Sequence, residues 1–566
     1  MNSLLIVVGP HQGLTTKEEE LQASDARSHA ATVSHARRKS KYPASQEDTD
    51  NDSAIKINFR KPLAHEPFWP GEDHIRKRDN LRHLGRQSAR CREFAASTSL
   101  PHPITILGQS KLDPFNADSS RNLPPIAYSS LEHSYLNLWP KFDPAMTKAA
   151  REAVITHWRK TAVQSPLTFH AQISNAVSLC YVLSTDPSAM SNLLQIRWKH
   201  QAITMKIIRK KLEEIKGPVS DDLLENIMRI MSQGGDLYDG PATLSRYPET
   251  PLAEALHLKL YARFEMGLPH FRAIVELIKQ RGGLENISTN FSRPIGLSDV
   301  IVSTKQGIRP VFPVLQELRQ FSDLHEFTFD AKGEELMLEM RTGWCTSVLQ
   351  NSHPDIVKLA IRAAQLTVAL GQNHRAGEGH LSLPVICALT TVFQHDLNEL
   401  NPQEIRVPKE HHNDMFDACR LGIQIFSDLI LFPTAQSFSA KPRLITDLRR
   451  ILTAYHLSEE GAMGNSDPNS RLLLWITFMG TVISEGTGHR DWYLRKLLYL
   501  VRKMSLQSES WTVFKGILVT FLWWDYVLED HARDIWGYLW AMDTISPSLP
   551  LIKRRVRPNE GLNLGT

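Results

Sequence analysis

The stretch L-P-H-F-R-A-I-V-E-L-I-K-Q-R-G-G-L, Leu268 to Leu284, decides the fold class. Phe271, Ile274, Val275 and Ile278 fall at i, i+3, i+4 and i+7, the spacing that gathers side chains on one face of an α-helix. Arg272 and Glu276 lie four apart on the other side, where an ion pair adds about a few tenths of a kcal/mol. Pro269 suits a first turn, whose N–H groups have no intrahelical partner. Arg281 before Gly282-Gly283 suits a last turn closed by a left-handed residue, with Leu284 folding back as the apolar contact. The reading is a short, sharply ended amphipathic helix with a buried face. His270 and Arg281 are candidates for holding it in place, and Gly282 and Gly283 for ending it.

Outward from this helix the pattern repeats. Helices are expected over Ala145 to Trp158, Pro166 to Val182 and Ser188 to Ile215. Ser220-Asp221-Asp222 caps another that runs to Met231, and Pro251 begins a further one. Asn286 to Pro313 reads as a loop. Beyond it, helices are expected over Pro354 to Gly371, Pro384 to Leu400, Asp414 to Leu431, Ala440 to Tyr455, Arg471 to Ser484, Asp491 to Met504, Ser508 to Tyr526 and Asp530 to Met542. Proline and glycine punctuate the gaps. Neither alternating strand runs nor a fixed-period repeat stands out. Trp511, Trp523, Trp524, Trp536 and Trp540 crowd the last helices, where large aromatics are chiefly core. The fold class is therefore all-α, a large irregular array of packed antiparallel helices.

The front of the chain differs. Asn2 to Val8 reads as a short strand or hydrophobic hook, and Thr15 to about His35 as a polar helix with acids early and Arg37, Arg38, Lys39 and Lys41 at its end. Residues 42–100 read as a disordered basic linker, rich in Pro, Ser, Asp and Arg. It contains Arg76, Lys77 and Arg78, followed by Arg82, Arg86, Arg90 and Arg92 at near-helical spacing. Residues 27–92 carry 15 Lys/Arg against 8 Asp/Glu, a local +7, so with +4 for the chain the remainder is −3. A basic front ahead of a neutral to acidic body fits an import signal or a phosphate-facing segment as well as a solvated arm.

Composition excludes several classes. Apolar residues make up 42% and charged residues 22% of the 566, ordinary for a globular protein. The five cysteines, Cys91, Cys180, Cys345, Cys387 and Cys419, have no short spacings, so neither a disulfide framework nor a zinc ribbon or finger can be drawn. Leu472 to Ile483 is apolar for about a dozen residues, short of the ~20 that span a bilayer. A soluble intracellular chain with no membrane contact is expected. H-E-x-x-H, G-x-S-x-G and Walker A motifs are all absent. His374 to His380 (H-R-A-G-E-G-H) holds two imidazoles and Glu378, but its glycines read as a loop that fixes no ligand geometry. His411-His412 reads as the polar start of the helix from Asp414. Catalytic, cofactor and metal residues are all expected to be absent, and the chain is not expected to be an enzyme.

Several blocks, taken in order, resemble the fungal-specific transcription factor domain family. They are L-G-Q-S-K-L-D-P-F (Leu107 to Phe115), a helix containing Tyr135, a long helix near Trp198, and His270 to Leu284. The last is similar to the family block H-x-x-G-[LI]-x-x-[LIM]-x-x-x-R-G-G-[LI], with Ala273 where that block usually has glycine. R-P-x-F-P (Arg309 to Pro313), R-L-L-L-W-I-x-F-x-G (Arg471 to Gly480) and S-W-x-x-F-K-x-x-L-x-x-F-L-W (Ser510 to Trp523) follow. The resemblance covers roughly Ile104 to Ala541. Asp25 to Lys39 is similar to the R-S-H-A-A-R-x-x-H-x-R-R-[RK] start of members that generally lack a zinc binuclear cluster. Such a cluster needs six cysteines in two close triplets, which these five do not provide.

The resemblance implies a helical regulatory domain over residues 101–566, preceded by the strand-plus-helix of 1–41 and the linker of 42–100. It implies a nuclear transcription-regulator-like protein working through protein contacts. DNA contact through the arm would be weak, salt-sensitive and blind to sequence. The other reading is a cytoplasmic helical binding or scaffold protein with no role at DNA.

Overall fold

Prolines open helix after helix in this chain, because a missing N–H costs nothing in a first turn and a fixed φ suits it. In the computed structural model, residues 123–142, 148–184, 186–233, 250–255, 264, 267–347, 349–376, 381–401, 414–433, 440–458 and 468–545 are described. Pro125 starts α1 (Pro125–His133), Pro166 starts α3 (Pro166–Leu183) and Pro187 starts α4 (Pro187–Glu214). Between the first two lies α2 (Lys148–Gln164). Side-chain caps reinforce the starts: Ser165 Oγ accepts the Thr168 N–H at 3.2 Å, and Asp186 Oδ1 accepts the Ser188 N–H at 2.9 Å.

The remaining helices are α5 (Asp221–Gln233), α6 (Pro251–Ala255), α7 (Leu268–Gln280), α8 (Thr289–Gln306), α9 (Gln316–Leu324), α10 (Ala331–Cys345), α11 (Leu349–Ser352) and α12 (Pro354–Ala376). They continue as α13 (Leu383–Glu399), α14 (Asp414–Phe426), α15 (Lys441–Ser458), α16 (Pro468–Ile483), α17 (Arg490–Lys503), α18 (Trp511–Val519) and α19 (Asp525–Ile545). Among the described residues there is no β-strand, so the described part of the chain is all-α. No described helix is long and apolar enough to cross a membrane.

Two apolar clusters hold the array. The smaller is built by α1 to α4, with Tyr135, Trp139, Phe169, Ile173, Leu193 and Ile196 inside. The larger begins where α3 and α4 leave the first, at Leu167 and Ile208, and runs from α5 to the C-terminal pair through every helix but α9. The hairpin of α3 and α4 is antiparallel: His170 near the start of α3 meets His200 midway along α4. Farther on, α12 packs between α10 and α13, and α14 between α15 and α16. Trp344 of α10 is wholly buried against Trp475 of α16 and Phe521, both edge-on, with centroids 5.5 Å and 5.3 Å away.

Four expectations need correcting. Residues 289–306, read as loop, form α8 with Pro294 inside it. Phe291, Ile295, Val300, Ile301 and Val302 supply its buried apolar face, while Asp299, Ser303 and Thr304 are buried on polar partners. Ser508 to Tyr526 is not one helix, since α18 stops at Val519 and α19 starts at Asp525. The intervening Phe521 to Trp524 are buried, and Trp475 Nε1 donates to the Leu522 carbonyl at 3.0 Å, a bond a continuous helix would forbid. Helices α9 and α10 stand where no element was expected. Finally Glu276 pairs with Lys279 at 3.4 Å rather than with Arg272. The tryptophans divide as well: Trp523, Trp524 and Trp536 are core, but Trp540 is 41% exposed.

Candidate functional site

Helix α7 comes first because its residues carry the strongest motif. Phe271, Ile274, Val275 and Ile278 are all buried in the larger cluster. Its end is a Schellman closure: the Gly283 N–H donates to the Ile278 carbonyl at 3.1 Å and the Gly282 N–H to the Lys279 carbonyl at 2.9 Å. Gly282 has φ +91°, a conformation a Cβ disfavours. Arg281 then reaches across to the start of α5. Its Nη1 donates to the Val219 carbonyl at 2.9 Å and to the Asp221 carboxylate, and its Nη2 to the Asn286 carbonyl at 2.7 Å. The same carboxylate accepts the Ser288 N–H at 3.1 Å. One guanidinium thus ties the C-terminus of α7, the N-terminus of α5 and the entry to α8. His270 sits half-buried over Gly267, and burial holds its imidazole below the usual histidine range.

A second constellation was not visible from the motifs. Where α8, α13 and α14 meet, polar side chains replace the apolar interior. Thr304 Oγ1 accepts from Gln394 Nε2 at 3.1 Å and from Asn398 Nδ2 at 2.9 Å. Gln394 Oε1 accepts from Ser427 at 2.6 Å, in the π-helical turn Ser427–Leu431 that prolongs α14. Such turns recur at functional positions in other proteins. Asn401 Oδ1 accepts from Arg420 Nη1 and Gln424 Nε2, both at 2.7 Å, while its Nδ2 donates to the Ile308 carbonyl at 3.1 Å. Arg309 Nε donates to the Asn401 carbonyl at 2.7 Å. Arg443 of α15 reaches the Thr304 carbonyl at 3.0 Å by passing over Gly307, whose φ of +68° ends α8. A Cβ at Gly307 would lie 2.5 Å from that guanidinium.

At one end of this seam two titratable groups clamp the segment after α8. Asp299, 1% exposed, accepts the Val311 and Phe312 N–H groups at 2.8 Å each. Burial raises its carboxyl to about 6, although those two N–H donors and His395 pull the other way. His395 Nε2 donates to the Phe312 carbonyl at 2.8 Å. Burial opposes its protonation, but Asp396, the Phe312 carbonyl and Glu399 outweigh that and raise it. Asp396 is gripped by both nitrogens of the Arg319 fork, at 2.7 and 2.5 Å, so despite its burial it is held below the usual carboxylate range. Lys305, beside Thr304, is pushed down to about 8 by burial. The seam can fix three helices in register and hold a loop by its backbone.

The basic candidates Arg37, Arg38, Lys39, Lys41, Arg76, Lys77 and Arg78 lie outside the described residues, as do the strand and helix expected over 1–41, the linker of 42–100, the Leu107 to Phe115 block, His380 and His411-His412. His374 is on α12 rather than in a loop, with its ring 4.4 Å from Tyr526 and 5.7 Å from Trp524. Among the described residues no group of three or more His, Cys, Asp or Glu is placed to hold a metal. The seam did leave one trace in the sequence. Gln394, Asn398 and Asn401 fall at i, i+4 and i+7, amides at the spacing of a buried stripe. Compared with known proteins, the chain matches no family model, no curated protein and no solved structure.

Proposed function

We propose that this chain is a transcription-regulator-like protein of the fungal-specific transcription factor type, acting in the nucleus through protein contacts of its helical domain. The observation that carries this reading is the order of the motif blocks along the chain. Phe271 to Leu284, Phe312, Leu472 to Met479 and Phe514 to Trp523 all contribute side chains to one apolar cluster. The described helical array supports the same reading, since a regulatory domain of this type is expected to be helical throughout. The scheme assigns no catalytic residue and no cofactor. Arg37, Arg38, Lys39, Lys41, Arg76, Lys77 and Arg78 serve nuclear import or sequence-blind phosphate contact.

The test is localisation of a tagged full chain together with chromatin co-immunoprecipitation. Nuclear signal that is lost when Arg37, Arg38, Lys39 and Lys41 become alanine, with recovery of chromatin from the parent chain, supports the proposal. Cytoplasmic signal with no chromatin recovered sinks it, in favour of a helical scaffold with no role at DNA.

A further inference from the structure

Helix α4 presents its positive charge to solvent, whereas α17, equally basic, half-buries most of its cations. It carries six Lys/Arg against two Glu, +4 on one helix of a body that, outside 27–92, sums to −3. At 100° per residue Lys199, Lys206 and Lys210 line up within about 40° of arc, and Trp198 and Arg209 align with each other on the flank. All five are exposed, Trp198 by 48%. Lys210 has one partner among the described residues, the solvent-exposed Glu214 at 3.8 Å. No described carboxylate lies within ion-pair distance of Lys199, Lys206 or Arg209. The reason is in the packing. Helix α4 lies mainly against α3, whose eighteen residues include no acid. Positive field reaches inward too: besides burial, Lys199 helps to depress His170 and His200.

We propose that this exposed face of α4 is a docking surface for the phosphate backbone of duplex DNA. Lys199 to Lys210 spans about 16 Å of straight helix, so the cations form a rigid row that can lie along a regular polyanion without reorganising. A bilayer is disfavoured because α4 has already committed its apolar face, including Leu193, Ile196 and Ile208, to the core. An acidic protein partner is disfavoured because its binding would centre on buried apolar anchors, and among the large apolar side chains of α4 Trp198 alone is exposed. The contact is sequence-blind, since nothing in the row is shaped to read base edges. It stands apart from the regulator reading: DNA docking in vitro can fail while chromatin is still recovered through protein contacts.

The experiment measures binding of the full chain to a fluorescent duplex of arbitrary sequence across a salt series. The comparison variants are Lys199→Ala/Lys206→Ala/Arg209→Ala and, separately, Arg37→Ala/Arg38→Ala/Lys39→Ala/Lys41→Ala. The α4 triple variant is expected to lower the salt slope by about 2 to 3 and weaken binding on the order of 100-fold at 0.15 M salt, equally for unrelated duplexes. The arm variant is expected to retain the share due to α4. Quenching of tryptophan emission by DNA, present in the parent and reduced in Trp198→Phe, gives a reading that does not depend on the triple variant. An unchanged slope in the triple variant overturns the proposal. So does quenching that Trp198→Phe leaves intact, or displacement of the duplex by polyglutamate or phosphatidylserine vesicles at equal charge.

Discussion

Helix α7 and the polar seam around α8 lie in one domain and are stabilised in opposite ways. Around α7 the interior is dry: Phe271, Ile274, Val275 and Ile278 are buried among apolar neighbours, and polarity is confined to the helix end, where Arg281 and two glycines close it. Around α8 the interior is wet in chemistry, with Asp299, Thr304, Gln394, Asn398 and Asn401 all buried and cross-linked by hydrogen bonds. A dry face tolerates shape changes but not charge. A polar interior demands that each group keep its partner, because an orphaned one carries the full cost of desolvation. The two regions should therefore fail differently when mutated.

The sharpest way to break the comparison is Val275→Asp. Val275 is 6% exposed within the larger apolar cluster, so a carboxylate there is taken out of water among apolar side chains. A loss on the order of 4 kcal/mol is expected, enough to unfold a marginal domain. Urea unfolding of a soluble variant, or its recovery only as aggregate, checks this. A stable Val275→Asp protein would refute the burial of this face.

Next comes Asp299, a carboxylate that the fold already buries. Burial lifts its carboxyl to about 6 in the folded chain against 3.8 for a free aspartate, so between those values the folded state holds the proton that the unfolded state has lost. Its contribution to stability is complete below 3.8 and declines as pH rises through about 6, by roughly 3 kcal/mol in all. His395, raised as well, acts in the same sense: its contribution is present below 6.5 and is lost as pH rises through its higher folded value. Replacing Asp299 by asparagine keeps an oxygen for the Val311 and Phe312 N–H groups and removes the titration. Thermal unfolding from pH 4 to 7 should then give a flatter curve for Asp299→Asn than for the parent. Parallel curves would mean that Asp299 is not buried in this way.

Arg281→Ala should cost less, about 2 kcal/mol, because the guanidinium is one-fifth exposed and water replaces part of what it loses. Arg281→Lys should recover only part of that, since an ammonium cannot reach the Val219 and Asn286 carbonyls and the Asp221 carboxylate in one planar fork. Chemical denaturation of the two variants ranks them. Full rescue by lysine would show that charge, not the fork, ties α7 to α5.

The same contrast explains what could be read from the sequence. Helix α7 was legible because its signals are local: a 3.6-residue apolar period, a proline at one end and two glycines at the other. The long helices of the second half were legible for the same reason. Helix α8 was not, because Pro294, three serines and an aspartate mimic a loop until the partners on α13 and Val311-Phe312 are known, and those lie roughly 10 to 100 residues away in sequence. The break at Phe521 to Trp524 was hidden likewise, since apolar residues continue through it and only the Trp475 bond to Leu522 shows that the backbone has turned. The basic face of α4 was present in the sequence, but the run of lysines acquires meaning only once α3 is seen to offer no counter-charge.

The smallest effect sharpens the comparison from the solvent side. Glu276 shares α7 with Val275 and sits one residue away, but about 100° around the helix, where it is exposed. Its pair with Lys279 has both side chains more than half exposed, so water screens the attraction and ordering two long side chains offsets most of it. Glu276→Ala gains a little helix propensity and loses a weak ion pair. The net change should lie within about 0.5 kcal/mol of zero by chemical denaturation. A loss several times larger would place Glu276 against something other than solvent. The division of α7 into one dry face and one solvated face would then have to be redrawn, and with it the contrast to α8, whose polar residues are held inside the protein.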